Sequence, residues 1–204
     1  MPTQNQPEKR EQNVIDMRLV EAYRRGNSHA LSELYMRHSR RVESVARHVI
    51  GPSRDLEDVV QDVFIEVQRA LYRFRGDSMF TTWLHRVTVN VALQYLRKGK
   101  RKGWLYWVGT DRTDLPKLSH DDRNRIEARE TVRAVYDALE TISEKKRVVF
   151  ALYEFEGLSL EEIAKTVGAG VNTVKSRLFH ARREIFAHVK RRGLLPTHTL
   201  QVIK

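Results

Sequence analysis

Apolar residues recur every third or fourth position along most of this chain, and strand-like alternation is scarce, so the pattern predicts an all-α protein. A first helix is read from about Val14 to Arg25, closed by Gly26-Asn27, a pair suited to a left-handed C-cap. A second runs from about Ser28 to Ile50 and stops at Gly51-Pro52. A third starts near Ser53 to Asp55 and continues to about Phe74, with Leu56, Val59, Val60, Val63, Phe64, Val67 and Leu71 on one stripe. Gly76 interrupts it. The fourth spans about Phe80 to Arg97, with Trp83, Leu84, Val87, Val91 and Leu96 as candidate core. Trp83 is assigned to that core rather than to a binding surface, because bulky aromatics at helical spacing are usually packed inside.

The pattern lapses after Leu96. Arg97, Lys98, Lys100, Arg101 and Lys102 surround Gly99 and Gly103, and Trp104-Leu105-Tyr106-Trp107 and a polar stretch to Asp122 follow. Helical periodicity returns from about Ile126 to Leu139, then Glu144 to Phe155, Leu160 to Val167 and Val171 to Arg192. Two small helical domains joined by a flexible linker follow from this. Their boundaries are a disordered N-terminus over 1–12, a first domain over 13–102, a linker over 103–129, a second domain over 130–192 and a loosely ordered tail over 193–204.

The second domain carries a sharp local signal. Ser159-Leu160-Glu161-Glu162 is a capping box, in which the serine hydroxyl accepts from the amide three residues on and the glutamate reaches back. Gly168 and Gly170 bracket a tight turn. In the next helix Val174, Leu178, Ala181, Ile185 and Val189 form a buried stripe, leaving Thr173, Lys175, Ser176, Arg177, Phe179, His180, Arg182 and Arg183 on other faces. Two short helices, a glycine turn and a cationic second helix make a helix-turn-helix that fits a DNA groove. Arg and Lys donate to guanine edges or phosphates, serine reads either, and Phe touches a thymine methyl.

Composition agrees with a polyanionic partner. Lys plus Arg number 37 against 26 Asp plus Glu, a formal charge of +11. The chain has no cysteine, which removes disulfides, thiolate zinc sites and thiol catalysis, and suits a reducing cytoplasm. No apolar run is long enough to span a bilayer. Met1 to Arg10 is polar, with Pro2 and Pro7, and does not read as a secretion signal.

Two features of the first domain stand apart from this basic background. The third helix carries Asp55, Glu57, Asp58, Asp62 and Glu66 opposite its apolar stripe. Just after it comes Phe74-Arg75-Gly76-Asp77-Ser78-Met79-Phe80-Thr81-Thr82-Trp83, where aromatics stand beside cations, as unstacked bases require.

Asp55-Leu56-Glu57-Asp58-Val59-Val60-Gln61-Asp62-Val63-Phe64, then Phe74-Arg75-Gly76-Asp77-Ser78, then Thr82-Trp83-Leu84 and Val89-Asn90, resemble region 2 of bacterial sigma-70-family factors of the extracytoplasmic-function (ECF) type. Residues 142–183 are similar to their region 4. The resemblance covers about residues 14–100 and 130–190, with no region 3 domain between. It implies a non-enzymatic promoter-specificity subunit that binds core RNA polymerase at the β′ clamp helices and β flap, in a stress or envelope response. It further implies that Asp55, Asp58, Gln61, Asp62 and Phe64 dock on polymerase. Phe74, Arg75, Asp77, Ser78, Phe80, Arg86, Asn90, Arg97 and Lys98 would serve the melted −10 element. Thr173, Lys175, Ser176, Arg177, Phe179, His180 and Arg182 would serve the double-stranded −35 element. An anti-sigma factor is the implied inhibitor. No cofactor, no metal and no catalytic residue are implied, and the expected location is the bacterial cytoplasm, on the nucleoid.

Two other readings compete. Asp55, Asp58 and Asp62 on one face invite comparison with a Mg²⁺-dependent nuclease, but no second set of ligands accompanies them in the sequence. A stand-alone helix-turn-helix regulator would bind duplex sites by itself and needs no aromatic melting loop.

Overall fold

The computed structural model describes residues 6–51, 53, 55–101 and 122–193. The Trp104–Trp107 segment and the residues after Gly193 lie outside them. Among the described residues every regular element is helical: α1 (Gln6–Arg24), α2 (His29–Ile50), α3 (Leu56–Ala70), a 3-10 turn over Leu71–Arg73, α4 (Phe80–Arg101), α5 (Asp122–Thr141), α6 (Glu144–Glu154), α7 (Leu160–Val167) and α8 (Val171–Arg191). The all-helical class follows the sequence pattern. Gly26, Gly51 and Gly168 all take positive φ at helix ends, the conformation that needs no Cβ.

Residues 6–12, expected to be unstructured, are the first turns of α1. Contacts distant in sequence hold them. Lys9 Nζ lies 2.9 Å from Glu162 Oε1, and Arg37 donates to Gln12 Oε1 at 2.6 Å. No local apolar period announces such contacts, which is why the helix is longer than its stripe. One turn further on, Asp16 is fully buried and accepts from Arg37 at 3.1 Å, with His38 Nε2 at 3.0 Å, pinning α1 to α2. A buried carboxylate persists only with such partners.

α1 to α4 close around Val20, Leu34, Val42, Val63, Val67, Leu71, Phe74, Phe80 and Leu84. Burial of each large apolar side chain here contributes about 1.5–3 kcal/mol. A second cluster takes in Ala134, Ala138, Leu139, Val148, Leu152, Ile163, Val174, Leu178, Ile185 and Val189 from α5 to α8. That cluster does not stop at the second module. It continues through Val45, Val49, Ile50, Leu56, Val59, Val89 and Ala92 of α2 to α4, with α2 packed on α6 and α4 on α7. His85, Val89 and Ala92 therefore form a second buried face on α4, behind the one read from Leu84 and Val87.

Candidate nucleic-acid and polymerase interfaces

The helix-turn-helix is built by local chemistry. Ser159 Oγ accepts from the Glu162 amide at 3.1 Å, and Glu162 Oε2 accepts from the Ser159 amide at 2.8 Å, so the capping box forms as read. Burial alone would raise the Glu162 carboxyl, but the Ser159 amide and Lys9 hold it below its ordinary value. Gly168 turns the chain at φ 63° in the left-handed region, and Gly170 opens α8. Ile163 and Ala164 are buried where α7 crosses α8. All five stripe residues of α8, Val174, Leu178, Ala181, Ile185 and Val189, are buried. Thr173, Lys175, Ser176 and Phe179 face solvent, and Arg177 and His180 are half-exposed. Phe179 is 60% exposed, an apolar ring on a cationic face with the His180 ring edge-on beside it at 5.4 Å. Arg182 is less free: its guanidinium sits 2.6 Å from Glu154 and 5.0 Å over the Tyr153 ring, tying α8 to α6.

The loop after α3 is organised differently. Phe74 and Phe80, read as aromatic surfaces, are buried at 5% and 1% exposure. Their rings meet edge to face at 5.9 Å, and Trp83 lies 4.9 Å and 5.6 Å from them. Both therefore support the loop from below rather than offering it a stacking face. Trp83 joins them in the core, as its spacing suggests. The aromatic that does reach solvent is Tyr72, 58% exposed and 5.2 Å from the Tyr23 ring. Sequence reading passes over Tyr72, although its place between Leu71 and Arg73, one step off the α3 stripe, puts it on an outer face. Arg24 of α1 donates to the carbonyls of Leu71 and Phe74, and Asn13 accepts from the Phe80 amide at 2.7 Å. The result is an open recess lined by Arg24, Tyr72, Arg73, Phe74 and Arg75. Arg75 and Asp77 are exposed, and Ser78 is half-buried and donates to the Met79 carbonyl at 3.4 Å. Three cations around one exposed ring fit a base with its phosphates.

Along α4, Arg86, Asn90, Arg97 and Lys98 are exposed. Two are already engaged: Arg86 donates to the Lys165 carbonyl of α7, and Arg97 lies 3.5 Å from Glu144 of α6.

The acidic face of α3 is continuous. Asp55, Asp58, Gln61 and Asp62 are all exposed, while Phe64 is half-buried, with its ring 4.6 Å from Tyr35. Asp55 is fixed by the Tyr95 hydroxyl, whose pKa is raised by burial and by that hydrogen bond. Within the described residues, no three acids or histidines cluster as a metal site would need. An acidic face on a protein of net charge +11 repels DNA and suits a basic protein surface.

The chain has relatives among known proteins. A family profile for Sigma-70 region 2 matches residues 34–102, and one for Sigma-70, region 4 matches residues 132–185. The chain is 38% identical over 180 residues to the ECF RNA polymerase sigma-E factor of Escherichia coli (strain K12), covering 84% of this chain and 93% of that one. A chain of the solved structure of CnrH in complex with the cytosolic domain of CnrY superposes with a TM-score of 0.63 at 25% identity, covering 88% of this chain and 97% of that one. The sigma factor RpoE from Bartonella quintana, solved with the anti-sigma factor NepR, shares the fold with a TM-score of 0.61 at 21% identity, over 78% of this chain and 96% of that one.

Proposed function

The chain belongs to the sigma-70 family of RNA polymerase sigma factors, ECF type, and from that premise we propose that it is an alternative promoter-specificity subunit acting at two DNA elements through two separate surfaces. The observation that carries this reading is the coexistence of an exposed acidic helix with two cationic, aromatic-bearing surfaces. A stand-alone regulator has use for the helix-turn-helix but none for Asp58, Gln61 and Asp62.

In this reading α3 docks on core polymerase through Asp55, Asp58, Gln61 and Asp62, with Phe64 backing that face from its packed position against Tyr35. α8 places Thr173, Lys175, Ser176, Arg177, Phe179 and His180 in the major groove of the −35 element, with Arg182 held by Glu154 to set the pitch of the helix. The recess at Tyr72, Arg73 and Arg75 takes an unstacked −10 base, and Arg86, Asn90, Arg97 and Lys98 follow the adjacent backbone. Unpairing costs a few kcal/mol, and stacking of about 1–3 kcal/mol per base offsets it. The protein performs no reaction of its own in this role; polymerase supplies the chemistry. Among the described residues no helix is long and apolar enough to cross a membrane. An anti-sigma protein is the expected regulator.

The test is binding to core polymerase. Asp58→Lys with Asp62→Lys reverses two exposed charges and leaves the apolar stripe intact. Affinity for core enzyme falls by about 100-fold or more, about 3 kcal/mol, with helical content and thermal midpoint unchanged. A native chain that does not bind core polymerase defeats the reading.

A further inference from the structure

A polar cavity of about 100 Å³ lies apart from the acidic face of α3 and the exposed face of α8. Residues of α1, α2 and α4 line it, together with Leu158 and Glu162. His85 is among them, only 3% exposed, and its Nε2 has no hydrogen-bond partner. Buried polar atoms in folded proteins are nearly always paired, so an orphaned ring nitrogen on a polar cavity points to a ligand.

The groups around that nitrogen are donors. Thr81 and Thr82 stand in the first turn of α4, a helix of 22 residues. Asn13 accepts from the Phe80 amide, and the Met79 carbonyl accepts from the Trp83 amide. The amides of Thr81 and Thr82 have no acceptor among the described residues. They stand at the positive end of the helix dipole. Side chains on a helix lean towards its N-terminus, so His85, four residues after Thr81, shares its face and leans towards those amides. Arg41 of α2 lines the same cavity, is half-buried, and has no oxygen partner among the described residues. Its charge is felt at His85, where it favours the neutral ring.

The acids nearby do not answer these donors. Glu162 is committed to Lys9 and to the Ser159 amide, and Glu8 is exposed on α1. We propose that the cavity binds a small tetrahedral oxyanion of the phosphate class, held by the Thr81 and Thr82 amides and hydroxyls, the Arg41 guanidinium and the His85 ring N–H. A helix N-terminus with a guanidinium beside it suits phosphate. Two amides, two hydroxyls, a guanidinium and a ring N–H also outnumber the roughly four acceptor sites of a carboxylate. The volume is enough for about three waters, or for one such ion in their place. Every donor belongs to the first module, so the site is independent of the polymerase and promoter surfaces. The bound ion ties α2 to the first turn of α4.

The test uses the full chain in phosphate-free buffer near neutral pH, with inorganic phosphate as the probe. Phosphate moves the ring signals of His85 in NMR saturably and raises the thermal midpoint, as binding to the folded state requires. Acetate and chloride at matched ionic strength do neither. His85→Gln identifies the ring signals by removing them. Arg41→Met weakens phosphate binding at least about tenfold, the loss expected for a charged hydrogen bond. Arg41→Lys, which keeps the charge but not the forked donors, also loses affinity. Arg18→Met removes an exposed cation of α1 outside the cavity and leaves affinity within about twofold. His85 signals that phosphate does not move overturn the proposal, as do equal affinities in the Arg41 variants and Arg18→Met. A single-stranded oligonucleotide that reproduces the shift without phosphate overturns it too, by placing a nucleic-acid backbone at the site.

Discussion

The recognition helix and the loop between α3 and α4 both present cations beside an exposed ring, yet they are built in opposite ways. On α8 the exposed face is whatever the stripe Val174, Leu178, Ala181, Ile185 and Val189 leaves over, and its start is fixed by Ser159, Glu162, Gly168 and Gly170 within a dozen residues. The loop has no stripe to orient it. Its shape comes from Arg24 and Asn13 on α1, 47 to 67 residues away, and from the Phe74–Phe80–Trp83 cluster beneath it. A helical surface can be read from its own period; a loop surface is set by partners that the local sequence does not contain.

The largest effect should separate the buried rings from the exposed one. Phe80→Ala removes a side chain that is 1% exposed and costs about 3–5 kcal/mol of stability. Tyr72→Ala stays within about 0.5 kcal/mol of native stability. It nevertheless weakens holoenzyme binding to a −10 single strand by about 5- to 100-fold, corresponding to about 1–3 kcal/mol of lost stacking. Thermal unfolding and strand binding, measured side by side, show whether Tyr72 is the working aromatic. Equal behaviour of the two variants would erase the distinction.

Acid should act on the remotely held module before the locally capped one. His85 lies on the second buried face of α4, with no hydrogen-bond partner at Nε2. Burial, followed by nearby Arg41, lowers its pKa from 6.5 to about 4, against the opposing pull of Glu156 and Glu162. His38 also lowers it, and Glu8 and Lys9 of α1 face the same cavity. The folded state thus favours the neutral ring. Its contribution is complete above pH 6.5 and is lost as pH falls from 6.5 towards 4. Between pH 7.5 and pH 5 the loss is about 2 kcal/mol. Urea midpoints across this range should fall, and His85→Gln should remove that part of the slope. A slope unchanged in His85→Gln would place the titration elsewhere.

Smaller effects test the helix-turn-helix. Lys175→Ala should cost about 1–2 kcal/mol in −35 duplex binding by the holoenzyme and nothing measurable in stability, because its side chain is exposed. Ser159→Ala should do the reverse, costing about 1 kcal/mol of stability through the lost cap. Duplex binding and unfolding of the same two variants read both at once.

Much of the helical order is legible in sequence because a buried stripe and its caps are local. The α3 and α8 stripes, the capping box and the Gly168 turn need only neighbours within a few turns. The acidic face of α3 is legible for the same reason, since it is the complement of Leu56, Val59, Val63 and Val67. Phe74 and Phe80 are not, because a ring in a loop faces solvent or core according to what packs against it. Nor is the second face of α4 read as buried, although His85, Val89 and Ala92 recur at helical spacing. That spacing is the signal for a helix covered on two sides, and the second cover comes from α6 and α7. It also bears on experiments with fragments: residues 130–192 share a core with α2 and α4, so the full chain is the proper subject for binding assays.

Transcription by core polymerase from a pool of genomic fragments, with and without this chain, tests the central claim most directly. The account predicts a limited set of discrete transcripts that appear only when the chain is present and vanish with Asp58→Lys and Asp62→Lys. The same transcripts with and without the chain would contradict it.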